Sequence, residues 1–140
     1  MLMRTHYAFD AKRFLQPGDA AEEGYGSFLN SQRRVRDAVV LVAELADTKA
    51  VAGYVYAALE PMSWKELRDA AGFIHDVAVD PLARRRGIAT ALMEAALDWL
   101  REKGAPRVLL GTAEQNIEAQ RLFASLGFRR TMIEMTREFN

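Results

Sequence analysis

Arg84-Arg85-Arg86-Gly87-Ile88-Ala89-Thr90 lies between an alternating apolar run and a long amphipathic stretch, and it is the segment best suited to hold an anion. Before it, Phe73-Ile74-His75-Asp76-Val77-Ala78-Val79 alternates in strand fashion and stops at Asp80-Pro81. After it, the pattern predicts a helix over 88–103, with Thr90, Glu94, Asp98, Arg101 and Glu102 on one polar stripe. A strand, a glycine-containing turn and a helix N-terminus together aim several free backbone N–H groups at one point, and three arginines add positive charge there. That combination suits a phosphate or pyrophosphate. No Lys-Ser or Lys-Thr pair closes the turn, which excludes a P-loop, and one glycine stands where the dinucleotide fingerprint needs three. Taken bare, the same residues could equally be a solvated basic turn opening an ordinary helix.

The elements around this turn follow from periodicity and punctuation. Apolar runs at 39–44 and 50–59 read as two strands, joined by a hairpin turn at Asp47-Thr48-Lys49. Ser63 and Glu66 have capping-box spacing, so a short helix is expected over 63–70. Gly104 and Pro106 end the long helix, and 108–112 gives a further buried strand. Asn116 is a good N-cap for a helix with Ala119, Leu122, Phe123 and Leu126 on one face, closed by Gly127. Residues 130–139 read as a final strand or two, and 3–9 as a poorly patterned first strand. Gly18, Gly24 and Gly26 interrupt the helix signals that follow it. Trp99 belongs to the core side of the long helix, whereas Trp64 sits in a polar connector and reads as an interface or a pocket wall.

Composition bounds the function classes. The chain has 140 residues, half of them hydrophobic, which suits one domain over 1–140 with a real core, its first 37 residues shortened or irregular. Nineteen basic and nineteen acidic residues balance, so net charge favours neither nucleic acid nor a membrane surface. No apolar run approaches the roughly 18 residues of a membrane span, and the expected location is cytoplasmic. Without cysteine there is no disulfide or thiolate metal site, and with only His6 and His75 no metal is implied.

Arg84, Gly87 and Ala89 match the acetyl-CoA signature of the GNAT superfamily of N-acetyltransferases, and Asp76-Val77-Ala78-Val79-Asp80-Pro81 resembles the strand that precedes it there. A second match follows at Asn116, Ala119, Leu122, Phe123, Gly127 and Phe128, in the expected order. The resemblance implies an α/β (α+β) GNAT fold: a mixed central sheet flanked by helices, with splayed central strands forming the acetyl-CoA groove. It implies that the backbone of Val77, Ala78 and Val79 serves the pantetheine arm. The turn Arg84, Arg85, Arg86, Gly87, Ile88, Ala89 and Thr90 would take the pyrophosphate, and Asn116, Ala119 and Phe123 would border the cofactor. Homodimers are common in such proteins, and one is expected here.

The implied reaction is direct transfer of acetyl to a primary amine, since no cysteine can carry an acyl intermediate. An amine of pKa about 10.4 must shed a proton before it attacks. His75 and Asp76 compete for that role. Alternation puts His75, Val77 and Val79 on one strand face and Asp76 and Ala78 on the other. Imidazole, with an ordinary pKa of about 6.5, suits base chemistry, which favours His75 slightly. Phe123 stands where the family commonly has a tyrosine acid, and a thiol of pKa about 8.5 can leave without one.

Residues 74–93 are similar to the matching stretch of GNAT-type aminoglycoside 3-N-acetyltransferases, which implies an aminoglycoside-like or polyamine acceptor. Such an acceptor calls for gathered carboxylates, and Glu22, Glu23, Glu60, Glu66, Asp69 and Asp76 are the candidates. A protein N-terminus or lysine is the alternative acceptor, and a non-catalytic CoA-binding module is a third reading.

Overall fold

The computed structural model describes residues 2–139. Its elements run α1 (Leu2–Phe9), α2 (Asp19–Gln32), β1 (Ala38–Glu44), β2 (Val51–Glu60), β3 (Ala71–Val79), α3 (Ile88–Glu102), β4 (Val108–Leu110) and α4 (Ile117–Ser125). The four strands form one mixed sheet in the order β1-β2-β3-β4, antiparallel except for the parallel β3–β4 pair that α3 connects. One face of the sheet carries the main core. Val55, Ala57 and Ile74 meet Leu92, Met93, Ala96 and Leu100 of α3 and Phe123 of α4. The α3 residues recur at helical spacing, while Glu94, Asp98, Arg101 and Glu102 of the expected stripe face solvent. The opposite face is thinner, with Ala38, Tyr56 and Ala58 covered by Leu29 of α2.

Four local expectations are overturned. Residues 3–9 form helix rather than strand: exposed Arg4 and Ala8 fall one turn apart, and the Asp10 N–H closes the last turn onto the His6 carbonyl at 3.0 Å. α2 runs straight through Gly24 and Gly26, because Phe28, Leu29 and Gln32 anchor it on the sheet through Tyr56 and Val40. That anchorage outweighs a glycine penalty of roughly 1 kcal/mol each.

The segment 63–70 is a tight loop, not a helix. Ser63 and Arg68 bridge in antiparallel fashion and Leu67 takes φ 53°. Ser63 Oγ does accept the Glu66 N–H at 3.2 Å, but the Glu66 carboxylate turns to Arg68 Nε at 2.7 Å instead of completing the box. Residues 130–139 form no strand and pair with none of β1 to β4. Arg130 reaches Gln120 at 2.7 Å and Glu134 reaches Arg13, leaving Met132, Ile133 and Met135 exposed.

Candidate active site

β3 and β4 are paired only from Gly72↔Val108 to Ile74↔Leu110, after which β3 continues to Val79 paired with β2 alone. The strands therefore part at residue 75, and the gap becomes a cleft through the sheet. On the strand side it is lined by Ile74, His75, Asp76 and Val77, and across the gap by Leu110, Gly111 and Thr112. Asn116, Ala119 and Phe123 of the α4 region and His6 of α1 complete its walls, around a narrow cavity of about 60 Å³.

A β-bulge sits at the same place. Tyr56 pairs with Asp76 and Ala57 with Ile74, so His75 is extruded from the register. This corrects the expected face assignment. Val77 and Val79 pack on the main core as alternation requires, but His75 leaves their side and stacks on Tyr56, ring centroids 4.9 Å apart. Its Nε2 is 2.9 Å from Glu60 Oε1 and the side chain is one-third exposed. Asp76 faces the α1/α2 side and is half-buried, and desolvation pushes its carboxyl from the usual 3.8 up to about 7.

On that side lies a second cavity of about 280 Å³. Its walls are Met3 and His6 from α1, Arg13, Phe14 and Leu15 from the connector, Tyr25 from α2, and Asp76. Asp76 and His6 border both cavities. Burial first, and then the charge of Arg13, hold the His6 imidazole below its ordinary pKa, so it is neutral at pH 7. Arg13 is tied to Glu134 by two bonds of 2.7 and 3.1 Å, which raise its pKa further.

At the other end of β3, the Asp80 N–H donates to the Ala52 carbonyl at 2.7 Å and the Asp80 carboxylate accepts the Leu82 N–H at 2.9 Å. A 3-10 turn over Pro81–Ala83 follows, then Arg85 at φ 66° and Gly87 at φ 75°. Gly87 is the N-cap of α3, makes no side-chain cap bond and leaves the space beside its Cα open, so the first-turn N–H groups of Ile88, Ala89 and Thr90 have no intrahelical acceptor. Arg84, Arg85 and Arg86 are exposed around it. The helix dipole, the free amides and the guanidinium groups make this a fitting seat for a pyrophosphate.

Asn116 caps α4, accepting the Ala119 N–H at 3.2 Å, and also walls the cleft. Phe123 is buried against the core and Phe128 and borders the cleft as well. Of the carboxylates proposed to gather around an acceptor, only Asp76 lines the second cavity. Glu22 pairs with Arg4, Glu60 with His75, Glu66 with Arg68, and Asp69 accepts its neighbour's N–H. Sequence reading missed His6, Arg13 and Tyr25 as site residues. No local motif marks them; only an amphipathic reading of 2–9 as helix would have put His6 on an inward face. Among the described residues no group of three or more His, Asp or Glu is placed to hold a metal, and no helix is long and apolar enough to cross a membrane.

Residues 5–128 match the model of the acetyltransferase (GNAT) family, and the chain belongs to that family. It is similar to the mycothiol acetyltransferase of Beutenbergia cavernae, at 42% identity over 72 residues, which is 51% of this chain and 24% of that protein. The matched stretch spans about a quarter of the length of this and two further mycothiol acetyltransferases to which the chain is similar. Solved structures agree over more of the chain. The Bacillus halodurans protein BH1408 superposes with TM-score 0.79 at 17% identity, covering 99% of this chain and 87% of that one. An aminoglycoside 6'-N-acetyltransferase from Acinetobacter haemolyticus gives 0.68 at 19% identity, covering 90% and 86%. At such identities these likenesses speak to the fold, and the expected GNAT architecture is borne out.

Proposed function

We propose that this protein transfers the acetyl group of acetyl-CoA directly to a primary amine of a small molecule. One observation carries the reading: Asp76, a half-buried carboxyl poised near pH 7, borders both the cleft between the parted strands and the cavity under α1 and α2. The turn over 84–90 would hold the pyrophosphate, and the narrow cleft suits the thin pantetheine arm, with Asn116 and Phe123 as its far wall. Acetyl-CoA, when bound, supplies an acetyl thioester at the inner end of that cleft.

The amine enters from the opposite face of the sheet. As carboxylate, Asp76 accepts the ammonium proton, which frees the nitrogen lone pair for the acetyl carbon. The C–N bond forms as the C–S bond breaks, and CoA leaves as a thiolate of ordinary pKa about 8.5 that takes up the second proton the nitrogen sheds, which does not demand an acid at Phe123. Neutral His6 beside Asp76 adds no charge to repel the incoming ammonium. His75 is committed to Glu60 and to its ring stack, which favours Asp76 over His75 as the base.

Thiol release from acetyl-CoA in the presence of primary amines tests the reading. Turnover that survives Asp76→Asn with its pH profile intact rejects it. A homodimer belongs to the same proposal: Trp64 and Leu67, 80% and 85% exposed in the loop after β2, are large apolar side chains that a second copy would cover.

A further inference from the structure

The cavity under α1 and α2 is unlike a site for a polycation. At about 280 Å³ it lies at the small end of ligand pockets, which run from roughly 300 to 1,000 Å³. Met3, Phe14, Leu15 and the Tyr25 ring make most of its wall apolar, and Asp76 is its one carboxylate. Arg13 stands in the same wall, but its charge is already balanced by Glu134, which is fully engaged on it. A second ammonium group on the acceptor would find no free carboxylate in this wall, since Asp76 takes the first and Glu134 is held by Arg13.

One polar atom is out of place. The Tyr25 hydroxyl is buried and has no hydrogen-bond partner, the one such side-chain oxygen or nitrogen among the described residues. A buried hydroxyl left unpaired is unfavourable by about 1–3 kcal/mol, a penalty that a hydrogen-bond acceptor arriving with a ligand would relieve. Tyr25 lies in the part of α2 that precedes its anchors on the sheet at Phe28, Leu29 and Gln32. α2 has no buried residue, no side-chain cap at its N-terminus, and glycines on either side of Tyr25 at positions 24 and 26.

We infer that the acceptor is a primary amine on an apolar body bearing one hydrogen-bond-accepting oxygen, the oxygen taken by the Tyr25 hydroxyl and the amine by Asp76. This rests on the acetyl-transfer reading of the site and narrows it: aminoglycosides and polyamines are the wrong class.

The test compares leucinamide, which has an apolar body, one amine and one carbonyl, with 3-methylbutylamine, which lacks the carbonyl, and with spermidine and kanamycin. The expected order of kcat/KM is leucinamide above 3-methylbutylamine by about tenfold or more, with both polycations below leucinamide. Tyr25→Phe should lower the leucinamide to 3-methylbutylamine ratio by about tenfold, leaving only the part due to the lower basicity of the leucinamide nitrogen. The same variant should show no loss of thermal stability, because it deletes an unpaired buried hydroxyl rather than a bond. Preference for spermidine or kanamycin overturns the inference while leaving acetyl transfer standing, as does a ratio that Tyr25→Phe does not change. Acetyl-CoA binding with no turnover of any of the four amines also overturns it. Failure to bind acetyl-CoA rejects the underlying reading instead.

Discussion

Replacing Asp76 with Asn should make the protein more stable and nearly inactive at once. In the folded chain burial raises the carboxyl from 3.8 to about 7. Between those values the native state holds a proton that the unfolded chain has released, so stability falls as pH rises through this window and the full penalty is present above pH 7. Each factor of ten in proton affinity is worth about 1.4 kcal/mol, so the ceiling on the penalty is roughly 4 kcal/mol at pH 8 and roughly 2 kcal/mol at pH 5. Asparagine has the same shape without the charge and escapes it. Urea denaturation of the two proteins should therefore show the Asn variant ahead at pH 8, with its advantage roughly 2–3 kcal/mol smaller at pH 5. In the thiol-release assay the ascending limb of kcat/KM near pH 7 should vanish, with the plateau lowered by about 10²–10⁴. An Asn variant less stable than the parent at pH 8 would refute the desolvation argument. A surviving limb near pH 7 would refute the assignment of the base.

Gly87→Val places a β-branched residue at φ 75° where the free amides of α3 open, a strain of roughly 1–3 kcal/mol; calorimetry should show acetyl-CoA affinity reduced about tenfold or more, and unchanged affinity would remove the pyrophosphate from this turn. His75→Ala removes the 2.9 Å contact with Glu60 and a ring stack, so a stability loss of about 1 kcal/mol is expected while the limb near pH 7 persists; loss of that limb would return the base role to His75. Light scattering should give twice the 15.7 kDa chain mass, and Trp64→Ala should shift it toward monomer; a parent protein that is monomeric at assay concentration disproves the dimer.

The sequence by itself determined whatever depends on short-range rules. The alternating run before Asp80, the glycine turn, the amphipathic stretch of α3 and the Asn116 cap all appear within a residue or two of their expected places. Each is set by local periodicity or by a side chain bonding its own backbone a few residues away, and together they were enough to show the family. Where local signals competed with packing, they failed. Helix α2 tolerates two glycines because the sheet anchors it, and the Ser63–Glu66 spacing closed a loop because Arg68 took the carboxylate.

Only the tertiary structure decided the chemistry of the site. The bulge opposite Tyr56 moves His75 off the face that alternation assigned it, because one extra residue reverses the side of everything before it. The proton affinity of Asp76 comes from α1 and α2 folding over it, and neither helix is adjacent to it in the chain. Desolvation depends on what surrounds a group in space, so His6, Arg13 and Tyr25, at least fifty residues before Asp76 in sequence, became its neighbours without any motif to announce them.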